Sequence, residues 1–324
     1  MKMKRALLLV VFSAMVSPVK IASQEVSYGP GYQTIMLTNP AFAGTEGEGT
    51  LRLSYLDFYP GRNFNLHSFF ASFDSFFPSL HGGATAFLSD DYLGGAVNDT
   101  RGGMAYSYHL QADRNLFIDA GLSASFFHRG FDAGRMIFPD QIDPLGGISG
   151  PTAELLNMKG RTVFDAGAGL LMIAGRYTAA VAVNHLTNPD ISGSGSAEQR
   201  IGRELVIHMS GIFSLNTGKH TGLRPLVYGD FKTNRTVAGA GGSFEAPIIS
   251  ANAIVLWNRA GDLDLQTGIF LHLGNISFFY NYCFNISSTN SLLPASLVHN
   301  AGIVFSLHNV DKRKIIKTIN FPKC

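Results

Sequence analysis

The chain has 324 residues, of which only 15% are charged, with a net charge of +2. A soluble globular domain carries nearer a quarter of its residues charged, and so small and dispersed a positive balance excludes a nucleic-acid partner. Two cysteines, Cys283 and Cys324, make no disulfide framework and argue against a structural zinc site.

In chain order, Lys2, Lys4 and Arg5 form a basic start and Ala6–Val16 an apolar run of signal-peptide length. Cleavage is expected after Ser23, giving a signal peptide over 1–23 and Gln24 as the new N-terminus. No cysteine stands there, which excludes a bacterial lipoprotein anchor. Residues 24–48 are too short and too rich in glycine and proline for a domain.

From about residue 49 to 307 the sequence breaks into short alternating segments. Leu116, Ile118, Ala120, Leu122, Ala124 and Phe126 alternate with Phe117, Asp119, Gly121, Ser123 and Ser125; Leu205, Ile207 and Met209 alternate with Glu204, His208 and Ser210. Strand side chains point alternately to opposite faces, so each segment has one greasy face and one polar or small face. Strands are expected near 50–59, 64–74, 81–88, 101–110, 115–128, 162–173, 176–185, 203–214, 223–231, 235–244, 246–257, 263–272, 275–284 and 297–307. Past the N-terminus no run reaches the roughly 18 apolar residues of a membrane helix, whereas segments of about 9–13 residues suit a tilted membrane strand. The reading is all-β: a transmembrane antiparallel β-barrel of about fourteen strands, with twelve to sixteen open.

The connections sort by side. After even-numbered strands they are short, as at Ala112-Asp113-Arg114, Ala174-Gly175, Asn216–Gly222 and Gly274. After the third, fifth, seventh and thirteenth they are long: Asp90–Thr100, Arg129–Arg161, Leu186–Gly202 and Asn285–Ser296. Outer-membrane barrels have short periplasmic turns and longer outer loops, so both termini are expected in the periplasm. The 129–161 loop exceeds ordinary loop length; Phe138, Pro139, Asp140 and Asp143 are its candidate functional residues, with Phe138-Pro139 and Ile148 as apolar anchors that fold it over or into a closed lumen. Phe73-Asp74-Ser75-Phe76-Phe77 and Phe278-Phe279-Tyr280 read as parts of aromatic girdles. The basic tail 308–324, with Asp311-Lys312-Arg313-Lys314, is a periplasmic extension that either binds a partner or is simply solvated.

Asn39-Pro40-Ala41-Phe42-Ala43-Gly44-Thr45 is preceded by Tyr32-Gln33 and followed by Arg52, Tyr55 and Tyr59-Pro60. Ser72-Phe73-Asp74, Gly82-Gly83, Asp91 with Gly94-Gly95, Tyr106-Ser107-Tyr108-His109-Leu110, Phe138-Pro139-Asp140-Gln141-Ile142-Asp143, Asn184-His185-Leu186 and the close at Phe321-Pro322 come after in order. This succession resembles the PorP/SprF family, outer-membrane proteins of the type IX secretion and gliding machinery, over essentially the whole mature chain. The resemblance implies an integral outer-membrane barrel working in protein secretion. Its partners would be the periplasmic ring and a peptidoglycan-linked lipoprotein, or one secreted adhesin that it helps export or anchors at the surface. By its own chemistry, Asn39 before Pro40 favours a turn or extended start, and the small residues Ala41, Ala43 and Gly44 permit close backbone approach. The segment is expected to lie in the lumen as a plug, to dock at the periplasmic mouth, or only to turn the chain into the first strand.

Catalysis is not expected. No G-x-S-x-G, H-E-x-x-H or G-x-x-x-x-G-K-[ST] run is present. His208 and Ser210 share a strand face, but the side chains of Asn184-His185 point to opposite faces, against a coupled pair. Asp90-Asp91 with Asn98-Asp99, and Asp140 with Asp143, offer oxygen ligands of the kind calcium takes. They lack EF-hand spacing and read as solvated loop acids, so neither metal nor cofactor is expected. The functional expectation is a non-enzymatic outer-membrane component of type IX secretion, seated in outer-membrane lipid and acting through protein–protein contacts. The alternative is a porin or transporter for a small or fatty solute.

Overall fold

The computed structural model describes residues 35–60, 66–95, 97–132, 139–143, 147–148, 160–192, 199–216, 221–233, 235–288 and 296–307. The expected signal peptide, Phe138, Cys324 and the basic tail lie outside them. The barrel strands are β1 (Thr50–Phe58), β2 (Leu66–Phe77), β3 (Gly82–Leu93), β4 (Val97–Asp113), β5 (Leu116–Phe131), β6 (Arg161–Ala174) and β7 (Tyr177–Asn184). They continue with β8 (Glu204–Gly211, resuming as Phe213–Asn216), β9 (Thr221–Lys232), β10 (Thr236–Glu245), β11 (Ile249–Asn258), β12 (Leu263–Leu273), β13 (Ile276–Ser287) and β14 (Ser296–Ser306). Each pairs antiparallel with its sequence neighbours, and Thr50↔Ser306 through Phe58↔Val298 join β1 to β14. The ring of fourteen strands is closed. Closure satisfies every strand's ladder and removes the edges, the condition for β-structure in a bilayer.

Burial is inverted relative to a water-soluble protein. On β4 the odd residues Asp99, Ser107 and His109 are buried, while Met104, Tyr106, Tyr108 and Leu110 on the other face are exposed. β1 hides Thr50, Arg52 and Ser54 and exposes Leu53 and Tyr55. Met104 is 70% exposed and Asp119 0%. An apolar band of this extent facing water would be a large exposed patch; facing acyl chains it is what holds the barrel in place. Towards the long-loop end, a register line of outward residues, Tyr282–His299–Asp57–His67–Tyr92, crosses five adjacent strands. His67 stacks on Tyr92 at 4.8 Å and Tyr55 leans on Phe69 at 5.0 Å, a girdle suited to the interface.

The strands match the expected set to within a few residues, with one substantive correction. Asp90–Thr100 is not a long loop. β3 runs on to Leu93 and β4 starts at Val97, joined by a tight turn in which Gly94 and Gly95 take φ of 72° and 91°. Asp91 and Asp99 are therefore not solvated loop acids but buried lumenal residues. Arg129 donates to both carboxylate oxygens of Asp99 at 2.7 and 2.6 Å, and Ser68 donates to Asp91. The aromatic runs also divide by face: Phe73, Phe77, Phe278 and Tyr280 point outward, while Phe76 and Phe279 are buried in the lumen and form no girdle. The chain enters β1 and leaves β14 at the short-turn end.

Candidate functional site

Before β1 the backbone makes one helical turn, Ile35–Thr38, and then a 3-10 turn, Pro40–Phe42. Asn39 forms the joint. Its backbone is extended (φ −150°, ψ 113°) and its Oδ1 accepts from Ala41 N–H at 2.9 Å, the N-cap arrangement that Pro at the first helical position completes. Gly44 leaves the turn at φ 73°, a conformation glycine takes without strain.

This segment lies against the lumenal faces of β3 to β8. Gly83, Ser107, Gly121 and Gly169 stand in one register line across β3, β4, β5 and β6. A Cβ on Gly83 would come within 2.2 Å of Gly44 Cα, one on Gly121 within 2.3 Å of Ala41 N, and one on Gly169 within 2.0 Å of Asn39 Oδ1. Three missing side chains thus make a shallow seat in which backbone touches backbone. Glycine inside a strand commonly marks such an approach.

Polar contacts fix the segment in the seat. Ser107 donates to Ala41 C=O at 3.0 Å, and Gly44 N–H donates to Asp74 Oδ1 at 2.7 Å. Asn39 Nδ2 reaches Leu170 C=O (3.4 Å) and Val181 C=O (3.3 Å), which face each other across β6 and β7. Asn184 donates from Nδ2 to Thr38 C=O at 2.9 Å and to Glu204 at 3.0 Å; Lys232 Nζ lies 3.0 Å from the same carboxylate. Phe42, 5% exposed, packs with Leu171 and Ala180 and meets the His208 ring edge-on at 5.6 Å. Arg52 pairs with Glu46 where the segment turns into β1. Buried polar groups need such partners, and here most are supplied by the chain itself.

Of the residues singled out in the sequence, Asn39, Pro40, Ala41, Phe42, Ala43 and Gly44 are all buried together in this seat. Pro139 and Asp140 belong to a 3-10 turn, and Asp143 pairs with Gly147 in a two-residue hairpin that forms a sheet separate from the barrel. His185, at φ 56°, breaks the alternation and turns its Nδ1 to Asp165 at 2.5 Å, with Thr187 donating to the same carboxylate. In the following loop, the hydroxyl and amide of Ser192, aided by Arg161, hold the Asp190 carboxyl below the usual range. Among the described residues no group of three His, Cys, Asp or Glu side chains is placed to hold a metal ion. The sequence reading singled out the rider but missed the seat: glycines at matching points of successive strands were the available signal.

The comparisons with known proteins agree with this architecture. Residues 21–303 match the family described as type IX secretion system membrane protein PorP/SprF. No curated protein matches the chain. Among solved structures, the monoaromatic hydrocarbon channel CymD superposes with a TM-score of 0.52 at 13% identity, covering 88% of this chain and 95% of its own. A ΔS2S3 mutant of the monoaromatic hydrocarbon channel TodX gives 0.52 at 10% identity, covering 86% and 94%. The toluene transporter TodX of Pseudomonas putida gives 0.47 at 10%, covering 88% and 95%. At such identity the likeness to the first two shows the barrel fold alone.

Proposed function

The chain belongs to the type IX secretion system membrane protein family PorP/SprF, and from that premise we propose that it is a non-enzymatic outer-membrane component of type IX secretion that works through protein–protein contacts. In this reading the short-turn end and both termini face the periplasm. There the basic tail and the mouth around the seated segment meet the periplasmic ring and its peptidoglycan-linked lipoprotein. The long loops 132–160, 185–203 and 288–295 face outward, towards secreted cargo. Asn39–Gly44 acts as an internal plug.

The observation that carries the reading is that the chain's own N-terminal backbone fills a fitted seat on the lumenal wall. A lumen partly filled by the chain's own backbone is unlike the open, water-filled channel of a general porin. Purification from the native outer membrane in mild detergent tests it. Other secretion proteins should co-purify, and the barrel in a planar bilayer should lack a steady, large conductance. A protein that purifies alone and conducts steadily would overturn it.

A second reading has an observation in its favour. The lumenal face of β9 to β14 carries two apolar clusters, Leu226–Ile254–Leu256 and Phe270–Phe279–Val304, and the likeness in fold is to monoaromatic hydrocarbon channels. A conduit for a small or fatty solute would use such a wall, and predicts uptake defects with intact secretion. A dedicated anchor for one adhesin predicts loss of that adhesin alone.

A further inference from the structure

The outer wall of β2 to β6 is hollowed by a cavity of about 620 Å³ that opens towards the bilayer. Its floor is alanine: Ala84 and Ala86 on β3, Ala124 on β5 and Ala166 on β6. Phe73 and Phe77 border it on β2 and Leu186, whose amide donates to Ala166 C=O, borders it on the β6 side, while Met104 and Tyr106 on β4 and Leu122 on β5 stand between the alanines. Register builds this shape, because Phe73 faces Ala86, Ala86 faces Met104, Met104 faces Ala124 and Ala124 faces Ala166. Large and methyl-sized side chains therefore alternate from β2 to β5, and a second alanine widens the hollow at β6. The polar atom at the rim, the Tyr106 hydroxyl, is engaged with Leu80 C=O at 2.7 Å.

We infer that this groove holds one hydrocarbon chain of an outer-membrane lipid as a retained ligand, distinct from the exchanging lipid around the rest of the barrel. The volume falls in the range of about 300–1,000 Å³ that holds single small ligands. A protein–protein contact needs a far broader surface, of order 1,000 Å² or more. The lining is almost wholly apolar, its Thr85 and Ser123 standing in the lumen-facing row with the buried Ala105, so a partner's backbone would find few hydrogen-bond partners there, whereas an acyl chain has nothing to satisfy. Left empty in the membrane, the alanine floor would forfeit its dispersion contacts. The same strands carry the glycine seat on their inner faces, so the wall is thinned from both sides here. A lipid chain in the groove backs the wall against which the N-terminal segment rests.

The single tryptophan, Trp257, is exposed on the outer face of β11, half-way round the ring from β4, and reports ordinary boundary lipid. The full-length protein and a Leu122→Trp/Trp257→Phe variant are reconstituted in phosphatidylethanolamine vesicles with increasing fractions of the chain-brominated lipid. The inference expects quenching at position 122 to give a relative binding constant severalfold above that at Trp257. It also expects native mass spectrometry to find a lipid adduct that Ala86→Phe/Ala124→Phe removes. Identical quenching curves at the two positions would overturn it. So would a photo-reactive residue at position 122 that cross-links in cells to a protein and not to lipid. If the doubly filled variant fails to form a heat-modifiable barrel, the quenching comparison alone decides.

Discussion

Gly169→Ala isolates the fit between the N-terminal segment and the barrel wall. The added Cβ would lie 2.0 Å from Asn39 Oδ1, so the Asn39 side chain must leave its place. With it goes the cap on Ala41 N–H, a contact whose loss costs about 1 kcal/mol. The two longer bonds from Nδ2, at 3.4 and 3.3 Å, contribute at the weak end of the hydrogen-bond range, about 0.5 kcal/mol each. The sum, about 2 kcal/mol, shifts the equilibrium between seated and unseated segment roughly 30-fold. The assay is amide hydrogen exchange of peptides covering 35–48 in detergent-solubilised protein, because exchange of buried amides follows the local opening free energy. Exchange at Ala41 and Gly44 should accelerate by that factor while the amides of β9 to β14 keep their rates. Gly130→Ala is the control: it sits on β5 with only ordinary contacts around its Cβ, at 3.7 and 3.8 Å. Unchanged exchange at Ala41 and Gly44 in Gly169→Ala, or equal acceleration in Gly130→Ala, would refute the seat.

Asp74→Ala deprives Gly44 N–H and the Thr85 hydroxyl of their buried acceptor; the unpaired groups cost roughly 1–3 kcal/mol, and proteolysis within 35–48 should rise in proportion. Phe42→Ala removes a buried ring from against Leu171, Ala180 and His208, at a cost of about 3–5 kcal/mol; in planar bilayers this variant should show channel events more often than the parent. Arg129→Met strands the buried Asp99 carboxylate and should cost about 3–5 kcal/mol, read as a lower urea midpoint for unfolding of the barrel in detergent. Asp190 has its carboxyl held below the usual range, so its contribution is fully present above the unfolded value near pH 4 and fades as pH falls through the lower folded value. Protease cleavage in 185–203 should therefore rise only below about pH 4, and Asp190→Asn should flatten that profile.

Much of the barrel was legible because a membrane barrel writes its fold as alternation. Leu116–Phe126 and Glu204–Ser210 each fix a face, and the strands so marked appear where expected. The reading failed at Asp90–Thr100 for a physical reason. Asp90, Asp91, Asn98 and Asp99 look like loop residues to any argument that places charge in water. In a barrel the lumen is the polar side, and Arg129, Arg101 and Ser68 supply the partners that keep Asp91 and Asp99 in strands. The buried aromatics Phe76 and Phe279 were misread for the converse reason, since parts of this lumen are apolar. The fit of Gly83, Gly121 and Gly169 to Asn39–Gly44 was beyond a single strand's pattern. It depends on the register between four strands, and register emerges only once the ring has closed.

A role in type IX secretion is tested most directly by comparing surface and culture-fluid proteins between a deletion strain and its parent. Many secreted proteins should accumulate in the periplasm of the deletion strain, whereas loss of a single large adhesin from the surface would point to the dedicated anchor. Unchanged secretion, with paralogues also deleted, would contradict the secretion role and leave the conduit for a small or fatty solute as the reading to pursue.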